Sequence, residues 1–248
     1  MATHHPIGQP FTELLTVDST NNYAMGLVHA GMAQHGMAVF TSTQTKGRGQ
    51  RGKDWLSDSG NNIALSIVLE PSFLAPSEMF FLSMSVANGV HRFFNKYVPE
   101  GVSIKWPNDL YWQDRKAGGI LIENVWQAGE WKYAIAGIGI NINQKEFPGL
   151  NNRAVSLLQI TGKTLEPGAL AKELCQCLEL SVQQLQFDKP AVQSIYLSHL
   201  YKRNEWVRLK KGNRVFDATI TGVSPSGELV VQHATEERFD VGEIEWVF

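Results

Sequence analysis

Beyond Arg203 the sequence changes character, and that change constrains the fold more than any other feature. Five short apolar runs follow: Trp206 to Leu209, Phe216 to Thr221, Leu229 to Gln232, Arg238 to Val241 and Ile244 to Val247. Turn signals part them, among them Lys211-Gly212-Asn213 and Pro225-Ser226-Gly227. Runs this short and this closely spaced are strands, and five of them within about 45 residues predict a small β-barrel of SH3-like size. The boundary falls near 203 to 205, giving a first domain of residues 1–203 and a C-terminal domain of 204–248.

The first domain mixes both kinds of periodicity. Strands are expected at Phe11 to Val17, Met37 to Thr43, Ile63 to Leu69, Val102 to Trp106, Ile120 to Asn124 and Tyr133 to Asn141. Asp18-Ser19-Thr20-Asn21 are helix N-cap types, and Asn22 to Met32 reads as the helix behind them. Phe80, Met84, Ala87, Val90 and Phe94 recur at helical spacing within Pro76 to Tyr97. Leu170, Leu174, Leu178, Val182 and Leu185 do the same within Gly168 to Phe187, and Ala191 to Leu200 follows Pro190 as a further helix. The fold class is α+β.

Composition narrows the function classes. A hydrophobic fraction of 43% excludes a disordered chain, and 22 basic against 24 acidic side chains leave a formal charge of -2. A protein that coats phosphate backbones would be basic overall, so nucleic acid is not an expected partner. The first ten residues lack a basic region followed by an apolar one, so no secretory signal is expected. Ser19 to Thr45 has no charged residue but is rich in Asn, Gln, His and Thr, which excludes a membrane span. A soluble cytoplasmic protein is expected. Cys175 and Cys177 point about 200° apart on a helix, a spacing for reduced cysteines rather than a disulfide. His29, His35, His91, His199 and His233 are scattered without ligand spacing, and His4-His5 reads as a tail, so no protein-held metal is expected.

Two stretches carry chemistry. In Gly47-Arg48-Gly49-Gln50-Arg51-Gly52-Lys53-Asp54 the spacing G-x-G-x-x-G suggests a dinucleotide fingerprint, but no helix opens at the third glycine. The pattern G-x-x-x-x-G-K-[ST] fails at Asp54, where a carboxylate stands in place of the metal-binding hydroxyl. What remains is physical: Lys46, Arg48, Arg51 and Lys53 on a glycine-rich segment, with Trp55 directly behind. Such a loop can close over a phosphorylated intermediate, and it also fits a solvated surface loop. The second stretch is Lys105-Trp106-Pro107-Asn108-Asp109, followed by Asp114-Arg115-Lys116-Ala117-Gly118-Gly119-Ile120-Leu121-Ile122-Glu123. A strand ends in an acidic turn, and Lys116 opens the returning strand, where its ammonium can hold an anion or simply decorate a charged hairpin.

The order D-S-T-N (18–21), Q-T-K-G-R-G-Q-R-G-x-x-W (44–55), K-W-P-N-D (105–109), D-R-K-x-G-G-I-L (114–121) and G-I-G-I-N (137–141) resembles the biotin protein ligases. The motifs span about 125 residues, and the family also ends in a small SH3-like domain, so the resemblance covers the whole chain. It implies a class II synthetase-like catalytic domain with a mixed, mostly antiparallel sheet. It implies ATP, biotin and Mg²⁺, formation of biotinyl-5′-AMP, and transfer to a lysine of a biotin carboxyl carrier protein of acetyl-CoA carboxylase type. Carried over motif by motif, Ser19, Thr20, Asn21 and Gln44 contact the ureido ring, and Arg48, Gly49 and Gln50 line the carboxylate side. Arg51, Lys53, Trp55 and Asn141 belong to the nucleotide. Lys116 serves both ligands and, with Arg48 and Asp109, the catalysis.

Gln50 departs from the family's frequent G-R-G-R-x-G, which removes one cation near the intermediate. About ten residues precede the first strand, so a DNA-binding N-terminal domain is not expected. Lipoate–protein ligases share the fold, but their ligand asks for an apolar tunnel where Ser19-Thr20-Asn21 stand. A biotin sensor without catalysis would not need both Lys116 and Arg48. Whether a sheet edge pairs two copies into a homodimer is left open by the sequence.

Overall fold

The computed structural model describes residues 5–150 and 152–247; His4 of the expected tail lies outside them. A seven-stranded sheet forms the body, in the order β1-β2-β3-β7-β6-β5-β4. Its strands are β1 (Phe11–Glu13), β2 (Ala38–Thr41), β3 (Ile63–Leu69), β4 (Val102–Lys105), β5 (Asp109–Trp112), β6 (Arg115–Gln127) and β7 (Glu130–Ile140). β1 and β2 run parallel and every other neighbouring pair is antiparallel, so the sheet is mixed and mostly antiparallel.

Burial along β3 shows how the layers arise. All seven of its residues are buried, because both faces of the sheet are covered. Ile63, Leu65, Ile67 and Leu69 join the main core with α2 (Met79–Asn95) and α4 (Pro167–Phe187). On the other face Val68 meets Val39, Ile135 and the Ala24 and Val28 side chains of α1 (Thr20–His29). α2 also packs against α5 (Lys189–Ser198). Cys175 and Cys177 are buried on α4 as free thiols, and burial pushes the Cys175 thiol up to about 12.

Several expected boundaries move, each for a local reason. β1 stops at Glu13, with Val17 reduced to an isolated bridge to Gln44. β6 starts at Arg115, since main-chain pairing to β5 and β7 carries it through the glycines that break its apolar pattern. α3 (Leu157–Thr161) was not anticipated; five residues show no periodicity, although Ser156 and Gln159 form a capping box. His91 and His199, far apart in the sequence, stack at 3.7 Å, and burial together with the neighbouring ring lowers His91 to about 4. Among the described residues no three His, Cys, Asp or Glu gather to hold a metal, and no helix is long and apolar enough to cross a membrane.

The last strands form a second, five-stranded antiparallel sheet, β11-β10-β9-β8-β12. They are β8 (Trp206–Lys211), β9 (Arg214–Val223), β10 (Leu229–Gln232), β11 (Glu236–Phe239) and β12 (Glu245–Val247). β11 lies two residues earlier than its apolar run suggested, because Gln232 pairs with Glu236 across a tight turn. Leu209, Ala218, Ile220, Val231 and Phe239 fill this unit. Its turns reach back to the main sheet: the Trp106 indole N–H donates to the Gly227 carbonyl at 2.9 Å.

Candidate active site

The cleft lies over the middle of the large sheet, where α1 begins. Ser19, Thr20 and Asn21 line it with only 2–3% exposure each. Ser19 is the N-cap of α1 by position, yet its side chain makes no capping bond. Asp18 instead accepts from the Asn22 amide at 2.6 Å. The polar groups beside the cleft are thus tied to one another. Gln44 Oε1 accepts from the Thr20 backbone N–H at 2.8 Å and faces its hydroxyl at 3.2 Å. The Ser66 hydroxyl lies 2.7 Å from Thr20 Oγ1 and 2.5 Å from Asn21 Oδ1. Asn21 Nδ2 donates to Glu123 Oε2 at 2.8 Å.

The floor is main chain. Gly137 and Gly139 of β7 leave room that any side chain would fill: a Cβ on Gly139 would stand 2.5 Å from the Trp55 ring, and one on Gly137 would overlap the Asn21 carboxamide. Trp55 lies across Gly139 and Gly119 as a roof, and its indole N–H is buried with no hydrogen-bond partner among the described residues. Together these walls outline a cleft of about 480 Å³ that is partly open to solvent.

Charge gathers at one end. Lys116 Nζ lies 2.6 Å from Asp109 Oδ1 and 5.7 Å from the centre of the Trp55 ring. The β5–β6 hairpin sets this geometry by pairing Asp109 with Gly119 and Tyr111 with Lys116 across a bulge. Asn141 steadies the same segment from behind: its Nδ2 donates to the Val155 carbonyl at 3.1 Å and reaches Lys116 O at 3.4 Å. Arg48 also lines the cleft, held by Glu123 at 2.7 Å and by Asn22 Oδ1 at 2.7 Å. Lys105 is buried between the Tyr111 and Trp246 rings, 5.0 and 4.9 Å from their centres. Burial lowers its ammonium to about 8.

Of the residues singled out from sequence, Ser19, Thr20, Asn21, Gln44 and Arg48 come together here with Gly49, Gln50, Trp55 and Lys116. Asp109 joins through Lys116. Lys53 is exposed on the loop, Asn141 lies behind Lys116, and Arg51 turns its guanidinium to the Gly242 carbonyl at 3.2 Å. Sequence reasoning did not select Ser66, Gly137, Gly139 or Glu123 as site residues. The glycines were visible within G-I-G-I-N and Glu123 ended the second chemistry-bearing stretch, but Ser66 sits in an apolar strand and gave no signal.

A buried polar end, a glycine floor and a cationic end define a pocket for a small molecule that is neutral at one end and anionic at the other. The family model described as biotin/lipoate A/B protein ligase matches residues 14–141, and the chain belongs to that family. The bifunctional ligase/repressor BirA of Escherichia coli is 30% identical over 226 residues, covering 88% of this chain and 68% of that protein. The biotin–[acetyl-CoA-carboxylase] ligase of Paracoccus denitrificans is 25% identical, covering 88% of this chain and 92% of its own length. Among solved structures, biotin protein ligase from Aquifex aeolicus in complex with biotin and ATP superposes with a TM-score of 0.79 at 26% identity, over 95% of this chain and 98% of that one.

Proposed function

We propose that the chain is a biotin protein ligase, which joins biotin to ATP as biotinyl-5′-AMP and passes the biotinyl group to a lysine of a biotin carboxyl carrier domain. One observation carries the reading: the Lys116–Asp109 pair closes the same cleft whose far end is the buried hydroxyl and amide set of Ser19, Thr20 and Asn21. A ureido ring has one carbonyl acceptor and two N–H donors, and these side chains with Gln44 offer both complements. An apolar lipoyl tail would use none of these complements.

In the first step a biotin carboxylate oxygen attacks the α-phosphorus. The bond to the bridging oxygen breaks, and its electron pair leaves on pyrophosphate. Two anions must meet, so the cations of Lys116 and Arg48 neutralise the junction, while Asp109 anchors the ammonium. Trp55 covers the sheet and keeps water from the anhydride. In the second step a lysine nitrogen bonds to the biotinyl carbon, the carbon–oxygen bond to phosphate breaks, and AMP leaves with that pair while the amine proton passes to solvent. Mg²⁺ would enter with the triphosphate as part of the substrate. Asp109 is already paired with Lys116. We assign adenylation to residues 1–203 and read 204–248 as a C-terminal domain that braces them. ATP dependence fits a cytoplasmic setting.

Lys116→Ala tests the reading. Biotin-dependent pyrophosphate release should fall by about 10²–10³, the effect of losing one charge-stabilising donor, with the circular dichroism spectrum unchanged. Release that persists at the normal rate in the variant would remove Lys116 from the junction, and wild-type release with lipoate instead of biotin would reassign the substrate.

A further inference from the structure

Ser66 lies on β3 opposite Gly137, fully buried and outside the lining of the active-site cleft. Its hydroxyl stands 2.7 Å from Thr20 Oγ1 and 2.5 Å from Asn21 Oδ1, and both of those residues line the cleft. A third contact completes the set, Thr20 Oγ1 to Gln44 Oε1 at 3.2 Å. Three oxygen–oxygen contacts thus share two hydroxyl protons, since the two carboxamide oxygens have none to give. The direction of the chain follows by elimination. Asn21 Nδ2 faces the Glu123 carboxylate at 2.8 Å and the Leu121 carbonyl at 3.4 Å, both of which only accept, so Oδ1 must be the atom that faces Ser66. Ser66 therefore gives its one proton to Oδ1. The 2.7 Å contact behind it needs a proton as well, and only Thr20 has one left. Gln44 Oε1 already accepts the Thr20 backbone N–H at 2.8 Å, and its longer contact with Oγ1 is the one that goes without.

We propose that Ser66 is a positioning residue that sets the specificity of the ring-binding end: it draws the Thr20 proton away from the cleft, so Thr20 Oγ1 meets a ligand as an acceptor and selects a ring N–H. The inference rests on the ligase reading above, which supplies the ureido ring. A ureido nitrogen carries its hydrogen outward and completes the contact. An oxygen at the same ring position would set lone pairs against lone pairs and leave a buried acceptor unsatisfied. Thr20 is only 3% exposed, so bulk water compensates little for that mismatch. Without the Ser66 oxygen the Thr20 hydroxyl is released from its partner on β3. It can then turn toward the cleft and donate to a ring oxygen, or turn toward Gln44 and still accept from an N–H. Ser66 thus converts a hydroxyl that suits either kind of ligand atom into one that suits only a donor.

The test uses the full chain and binding alone. Biotin and two cyclic carbamates, each with one of the ureido N–H groups replaced by oxygen, are titrated calorimetrically into the wild type and Ser66→Ala. At least one carbamate should bind the wild type about tenfold to a hundredfold more weakly than biotin, the scale of one unsatisfied buried polar group. The same carbamate should come within about threefold of biotin in Ser66→Ala. A purely structural role for Ser66 would weaken all three ligands together, so unchanged ratios for both carbamates would overturn the proposal. Equal affinities for all three in the wild type would do the same. Thr20→Val reads the contact without relying on Ser66→Ala to fold, because a methyl neither donates nor accepts. The preference over that carbamate should shrink to about threefold or less, and a preference kept in full would mean that Thr20 is not the selecting group. A wild-type chain that does not bind biotin would instead sink the ligase reading itself.

Discussion

The floor and the roof of the active-site cleft are built on opposite plans. Beside the glycine floor, Ser19, Thr20 and Asn21 are almost fully buried, and Thr20 and Asn21 are bound to Gln44, Ser66 and Glu123. Buried polar groups must be satisfied, and a network that satisfies itself is rigid before any ligand arrives. The roof runs from Arg48 to Trp55 through one short 3₁₀ turn, with Arg51 at φ 56° and the charges of Arg51 and Lys53 in solvent. Exposed cations contribute little to stability, so this segment is held by few contacts and can yield. The contrast teaches a division of labour: in the proposed ligase the neutral ring would meet a preformed surface, while of the two cations assigned to the chemistry Lys116 stands on β6 and only Arg48 on the more loosely held segment.

The floor is where the largest effect is expected. In Gly137→Ala the new methyl would overlap the Asn21 carboxamide, which Ser66 and Glu123 hold in place. Overpacking of about 1–3 kcal/mol should weaken biotin binding by roughly tenfold to a hundredfold. Calorimetric titration measures it. Unaltered affinity would show that Asn21 moves aside freely and that the floor is no more rigid than the roof.

How far this contrast could be read in the sequence depended on what kind of contact made it. β3 was legible to the residue because Asn61-Asn62 and Pro71 bracket its apolar run. The C-terminal unit was legible because turn residues punctuate short strands, although the pairing of β12 with β8 is a property of closure and not of any local signal. Ser19 shows the limit of local reasoning. Its residue type marked a helix start correctly, but the same hydroxyl serves a pocket, and only the fold shows which role it takes. Glu123 ends the second chemistry-bearing stretch, yet its bonds to Asn21 and Arg48 join segments 102 and 75 residues away respectively, which the sequence order gives no means to pair. Arg51 and Gly242 lie still farther apart in the chain.

Glu123 sharpens the comparison, since its carboxylate holds both sides: Asn21 at 2.8 Å beside the floor and Arg48 at 2.7 Å on the roof. In Glu123→Gln the remaining amide oxygen can still accept from Asn21, but the ion pair to Arg48 is lost. A half-exposed, two-pronged pair of this kind is worth about 1 kcal/mol. Amide hydrogen exchange across residues 47–54 should therefore quicken by about fivefold, while biotin affinity falls by less than it does in Gly137→Ala. If affinity collapsed and the loop stayed protected, Glu123 would belong to the floor alone.

The smallest expected effect isolates the roof's attachment to the C-terminal unit. Arg51 donates to the Gly242 carbonyl at 3.2 Å, and its guanidinium packs so closely on Gly242 that a Cβ there would displace it. Arg51→Ala should quicken exchange across 47–54 by about threefold, the scale of one exposed contact. Gly242→Ala breaks the same contact from the other side, although at φ +93° it also strains the turn. Gly212→Ala supplies a milder control, because its φ of +58° is also left-handed, in the same sheet, with open space around the methyl. A shared contact can be lost only once, so Arg51→Ala combined with Gly242→Ala should loosen the loop no more than either change alone. Additive loosening, matched by Gly212→Ala, would mean that strain in the C-terminal unit acts on the loop without the Arg51 contact, and the roof would then be less independent of its surroundings than its few bonds suggest.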